Sequence, residues 1–165
     1  MKNIKKILLL NLMVILFVIG CSENPVSTPP YIPVNVLLTS PDTVIIEGNK
    51  IYLTTEMWRD FMPVSPPDGK PLITVAKIET VDSSKISNSI NADAIYIVNG
   101  GEVWKSFLSD EAPGSDLLKP FRIVKIARDG PKWGPGINVD VVVRLLANNN
   151  VYLLRASNQY IARTD

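Results

Sequence analysis

Ile137-Asn138-Val139-Asp140-Val141-Val142-Val143-Arg144-Leu145 is the stretch that decides the fold. Ile137, Val139, Val141, Val143 and Leu145 recur at every second position, with Asn138, Asp140 and Arg144 alternating against them. A period of two gathers the apolar set on one face of an extended strand, whereas a helix would scatter it around its circumference. Most of the set is β-branched, which suits a pleated surface. The chain then turns through Asn148-Asn149-Asn150 and returns as Val151 to Ala156, and Gln159 to Arg163 is a candidate last edge strand.

The same pattern runs upstream. Val34 to Leu38 and Thr43 to Ile46 read as short strands on either side of Ser40-Pro41-Asp42, and Glu47-Gly48-Asn49 turns the chain into a β-rich run from Lys50 to Thr55. Leu72 to Val81 is a further strand, with Ile73, Val75 and Val81 on one face and Leu72, Ala76 and Ile78 on the other. Ala94 to Val98 and Glu102 to Leu108 flank Asn99-Gly100-Gly101, where Asn-Gly predicts a type I′ hairpin turn. Phe121 to Ala127 follows a loop from Asp110 to Pro120. Thr55 to Met62 has room for one helical turn, but no segment carries a 3.6-residue apolar stripe. About eight to ten short strands without intervening helices predict one all-β domain over residues 34–165, a β-sandwich of immunoglobulin-like architecture, with a small closed barrel as the alternative. No internal repeat points to a solenoid or propeller.

Ahead of that domain, Lys2, Lys5 and Lys6 precede an apolar run from Ile7 to Ile19 interrupted by Asn11, the pattern of an export signal. The run is short of the roughly 20 residues that cross a bilayer. Val18-Ile19-Gly20-Cys21 ends it and resembles the lipobox of bacterial lipoproteins. The resemblance implies that residues 1–20 are removed, that the Cys21 thiol receives a diacylglyceryl group, and that palmitate-type acyl chains on Cys21 hold the protein to the membrane. Two chains suffice for stable anchoring. Ser22 is not the Asp that retains such proteins in an inner membrane, so the resemblance favours the outer membrane of a two-membrane cell envelope. Residues 21–33 then form a linker with Pro25, Pro29, Pro30 and Pro33. Extended at about 3.1 Å per residue, the run from Ser22 would reach roughly 35 to 40 Å.

Composition narrows the function classes. Without the signal the chain has 14 basic against 16 acidic side chains, because the three leading lysines leave from totals of 17 and 16. That balance offers no footprint for nucleic acid. Cys21 is the only cysteine, so the domain has no intramolecular disulfide. The absence of histidine removes Ser-His-Asp and Cys-His nucleophile systems and leaves no ordinary ligand set for zinc. Gly130, Gly134 and Gly136 are spaced by proline and precede no helix, unlike a phosphate-binding loop. Carboxylate chemistry of the glycosidase type would have to come from Glu56, Asp60 and Asp68. Asp82, Asp93, Asp110, Glu111 and Asp116 lie in or near loops without the spacing of a calcium loop, and read as solubilising charges. The expectation is therefore no enzyme, no cofactor and no metal.

Two loops are richer than a β-domain needs. Met57 to Lys70 combines Trp58, Arg59 and Phe61 with Pro63, Pro66 and Pro67, and Arg128 to Gly136 brackets Trp133 between glycines and prolines. Stiff loops lose little entropy on binding, and Trp and Arg are frequent hot-spot residues. Trp58, Arg59, Phe61 and Trp133 are thus the candidate surface for an envelope protein or glycan partner, provided both loops lie at one end of the domain. The competing reading makes each loop Trp a core plug and pairs Arg59 with Asp60, and Arg128 with Asp129. Trp104, inside a strand, reads as packing. Alternatives within the binding class are a protease-inhibitor-like or carbohydrate-binding domain. The tail from Gln159 to Asp165 is a candidate uncovered edge for pairing between subunits.

Overall fold

A computed structural model describes residues 28–110 and 119–165. The lipobox, Cys21, most of the linker, Glu111 and Asp116 lie outside the described residues.

One short helix, α1 (Val34–Leu38), precedes strands β1 (Thr43–Ile46), β2 (Asn49–Asp60), β3 (Leu72–Thr80), β4 (Asn91–Asn99), β5 (Glu102–Phe107), β6 (Arg122–Gly130), β7 (Asn138–Ala147) and β8 (Asn150–Thr164). The all-β expectation holds. The strands follow one path, β5-β4-β7-β8-β2-β3-β6, with β1 added to β2. The sheet curls until its two ends meet: Ser109, just past β5, exchanges backbone hydrogen bonds of 2.9 and 3.0 Å with Ile126 on β6.

The alternation that predicts β7 also fills the core. Val139, Val141, Val143 and Leu145 point inward against Ile51, Leu53 and Met57 of β2, Leu72, Ala76 and Ile78 of β3, and Ile95 and Ile97 of β4. Asn148 and Asn149 both take positive φ in the turn to β8, as a type I′ hairpin requires. In the β4–β5 hairpin Asn99 pairs with Glu102, so the turn falls on Gly100-Gly101, one residue later than expected. Only Gly100 of the pair has a φ in the left-handed region, which fits a type II′ turn better than I′.

β8 joins the two halves of the sheet. Its first part pairs antiparallel with β7 and its last part, from Ile161, pairs parallel with β2. A bulge interrupts the β7 pairing between Ala156 and Gln159, with Asn158 at φ 57, a conformation that Asn tolerates better than most residues. The extra residue reverses the inward parity, from Tyr152, Leu154 and Ala156 to Ile161. Gln159 to Arg163 is consequently no separate edge strand: it continues β8, pairing with β7 at Gln159 and Tyr160 and with β2 from Ile161 on, inside the strand order.

Two further expectations are overturned locally. Thr55 to Met62 makes no helical turn, because β2 runs on to Asp60 along β3 and β8. Val34 to Leu38 is a helix and not a strand. Val34, Leu37 and Leu38 are spaced i, i+3, i+4, and this stripe covers a second apolar cluster of Ala94, Tyr96, Val98 and Val142 on the outer face of β4 and β7. The carbonyl of Pro33 accepts from the N–H groups of Val36 and Leu37, and the Thr39 and Ser40 hydroxyls close the other end on Asn35 and Val36 carbonyls. Arg155 locks the helix down by donating to the Leu38 carbonyl while paired with Asp140. The end of the proline-rich linker belongs to this layer. Pro29 is buried, Lys105 Nζ donates to its carbonyl at 2.8 Å, and the Tyr96 hydroxyl donates to the carbonyl of Pro30 at 3.0 Å.

Candidate functional site

The sheet topology puts the loops 61–71 and 131–137 at one end of the domain, and Arg59 ties them together. Arg59 shares the inward face of β2 with Met57, but it sits where the strand leaves the core. Its guanidinium therefore meets loop backbone instead of aliphatic side chains. It is only 3% exposed. Nε donates to the Lys70 carbonyl at 3.0 Å, Nη1 to those of Lys132 at 2.9 Å and Gly134 at 2.5 Å, and Nη2 to that of Asp68. Four carbonyl dipoles, two from each loop, thus answer one buried charge. Arginine suits the position because its planar fork offers donors in several fixed directions, where lysine has a single nitrogen. The expected Arg59–Asp60 pair is absent. Asp60 instead accepts from Lys70 at 2.8 Å, and this bond, helped by the Met62 N–H, holds its carboxyl below the usual range.

Phe61 packs at the same end. The guanidinium carbons of Arg59 and Arg163 lie 5.0 and 4.0 Å from its ring centroid. The ring rests on Gly69, where a Cβ would come within 2.6 Å of it and where φ is +75°. Lys132 bridges the loops a second time through Asp68 Oδ2 at 2.6 Å, and that donor pulls the Asp68 carboxyl down. Loop 131–137 is also fixed to β8, since the Gly136 N–H donates to the Ile161 carbonyl at 3.0 Å.

The four candidate residues separate. Arg59 is internal, so it positions the loops and is no part of a contact surface. Trp133 is half-buried against the core cluster, and its indole N–H donates to Glu102 Oε2 at 2.9 Å. Trp58, between inward Met57 and Arg59, turns to the outer face of the sheet. Phe61 is half-buried between the arginines. What the loops do present is a tip that sequence reading did not single out: Met62 is 49% and Val64 88% exposed, with Pro63, Pro66 and Pro67 exposed around them. Its hydrophobicity is visible in the sequence, but its projection from the domain is not.

Among the described residues the candidate carboxylates are each taken up by a neighbour. Glu56 pairs with Lys77, Asp60 with Lys70, Asp68 with Lys132, Asp93 with Arg144 and Asp110 with Lys125, while Asp82 accepts from the Ser84 N–H at 3.0 Å. Among the described residues no group of three or more acidic, histidine or cysteine side chains is placed to hold a metal ion, and no helix is long and apolar enough to cross a membrane. Compared with protein-family models, curated proteins and solved structures, the chain finds no match.

Proposed function

We propose that the chain is a lipid-anchored binding or structural module of the bacterial cell envelope, held through Cys21 and touching another envelope component with the loop end. The observation that carries this is the stapled pair of loops: a buried Arg59 stiffens an end whose tip exposes Met62 and Val64. Exposed apolar side chains on a rigid support lose little entropy when a partner covers them. The contact surface accordingly moves from Trp58, Arg59 and Trp133 to the tip beside Phe61.

The docked linker bears on how the anchor would work. With Pro29 already held by Lys105, the span from Cys21 is roughly 25 Å even in an extended state. A lipidated Cys21 would then keep the domain close to the membrane surface. For the architecture we propose closure as a small barrel over the immunoglobulin-like sandwich. The Ser109–Ile126 bridge and the bent β8, shared by both halves, favour that reading.

Co-purification of the lipidated protein from solubilised envelopes, beside Val64→Asp, tests the contact. A stoichiometric partner that is lost with Val64→Asp while the melting temperature is unchanged supports the proposal. A partner retained by the variant, or no partner with either protein, removes the tip from consideration. Labelling with radioactive palmitate tests the anchor separately, because Cys21→Ser must abolish incorporation.

A further inference from the structure

The outer face where β2 and β8 run parallel carries a groove away from the loop tip. Met57 pairs with Ile161 and Trp58 with Ala162, so Trp58 and Ala162 share a face, and Glu56 and Tyr160, two residues earlier on their strands, line the same groove. Ala162 contributes only a methyl group between Tyr160 and Thr164, which leaves a hollow along the strand. Its volume is about 400 Å³, and Thr55, Glu56, Trp58, Tyr160, Ala162 and Thr164 line it. That lies within the usual range for small-molecule sites, about 300–1,000 Å³. Tyr160 is 60% exposed, an unusual degree for a strand aromatic with a Trp near it.

The chemistry of the rim selects the occupant. An aromatic pair beside a carboxylate would suit a cation, but Lys77 already donates to Glu56, and the groove therefore offers a neutral ion pair. A purely aliphatic ligand would strip water from Glu56 and the Thr164 hydroxyl and return no hydrogen bonds. A neutral ring with an apolar face and a polar edge satisfies both demands. We propose that this groove binds a saccharide, with the C–H face of a sugar ring on Trp58 and Tyr160 and its hydroxyls toward Glu56 and Thr164. The inference does not depend on lipid anchoring or on the loop-tip contact. The open side of the groove leaves much of a ligand in water, so binding is weak for a single ring and grows with chain length.

The test titrates the full chain, in a detergent without a sugar head group, with chitohexaose, cellohexaose and maltohexaose, following tryptophan fluorescence and calorimetric heat. Saturable binding of at least one hexasaccharide in the millimolar range or tighter is expected. Ala162→Leu fills the hollow and Tyr160→Ala removes an exposed ring. Each should weaken binding about tenfold or more with no change in melting temperature. Val64→Asp should leave affinity unchanged, which separates this groove from the loop tip. Absence of saturable binding to all three sugars overturns the proposal, as does equal affinity in Ala162→Leu. Self-association of the wild type that Ala162→Leu abolishes would assign the groove to a second copy of the chain instead.

Discussion

Replacing Arg59 by Met keeps much of the side-chain volume and removes every donor from the junction of the two loops. Hydrogen bonds from a charged donor contribute about 1.5–3 kcal/mol each, and simple addition over the four carbonyls of Lys70, Lys132, Gly134 and Asp68 would overshoot. The four share one side chain, water can reach carbonyls freed near the surface, and the variant no longer buries a charge. The expected loss is about 3–5 kcal/mol, in the range reserved for broken buried networks. For a domain of this size that is roughly 10–20 °C in melting temperature. Arg59→Lys should lose most of the same stability, since one ammonium cannot serve four acceptors in two loops. Urea unfolding gives the magnitude, and hydrogen exchange gives the location: amides of both 61–71 and 131–137 should exchange faster than in the wild type. A loss below about 1 kcal/mol, or faster exchange confined to one loop, would refute the assignment of Arg59 as the staple between them.

Asn158→Val forces a β-branched residue into φ 57 and should cost about 1–3 kcal/mol in chemical denaturation, while Asn158→Gly should be close to neutral. Leu37 is fully buried between α1, to which it belongs, and the sheet, so Leu37→Ala should cost about 2–5 kcal/mol and raise the exchange of backbone amides in β4, which α1 covers. The carboxyls of Asp60 and Asp68 are both depressed by lysine donors in the folded state, so their stabilisation is present above the ordinary carboxylate range and lost as pH falls through it. Melting temperature should therefore drop on acidification below about pH 4, and an Asp60→Asn, Asp68→Asn double variant should show a flatter profile over that window.

Strands with a clean period of two were legible because their alternation and their burial are the same fact. β7 is the clearest case, and β3 follows it with Leu72, Ala76 and Ile78 all inward. Residues 34–38 misled because four β-branched or aliphatic residues around Asn35 carry too little length to reveal their period, and the choice of helix is made by the apolar face of β4 and β7 that they cover. β8 was divided at Ser157-Asn158 because the bulge reverses its parity, and no local pattern says whether a strand ends or bends there. The candidate site failed for a related reason. Trp58 and Arg59 look like one cluster in sequence, yet consecutive strand residues face opposite ways. The alternation that sends the guanidinium inward, to hold two loops by their carbonyls, necessarily sends the indole outward into the groove beside Tyr160. Any surface containing Trp58 must therefore be sought across the sheet, beside Ala162 of β8 and Ile73 of β3, and not in the loop that follows, and those neighbours are fixed only by strand pairing.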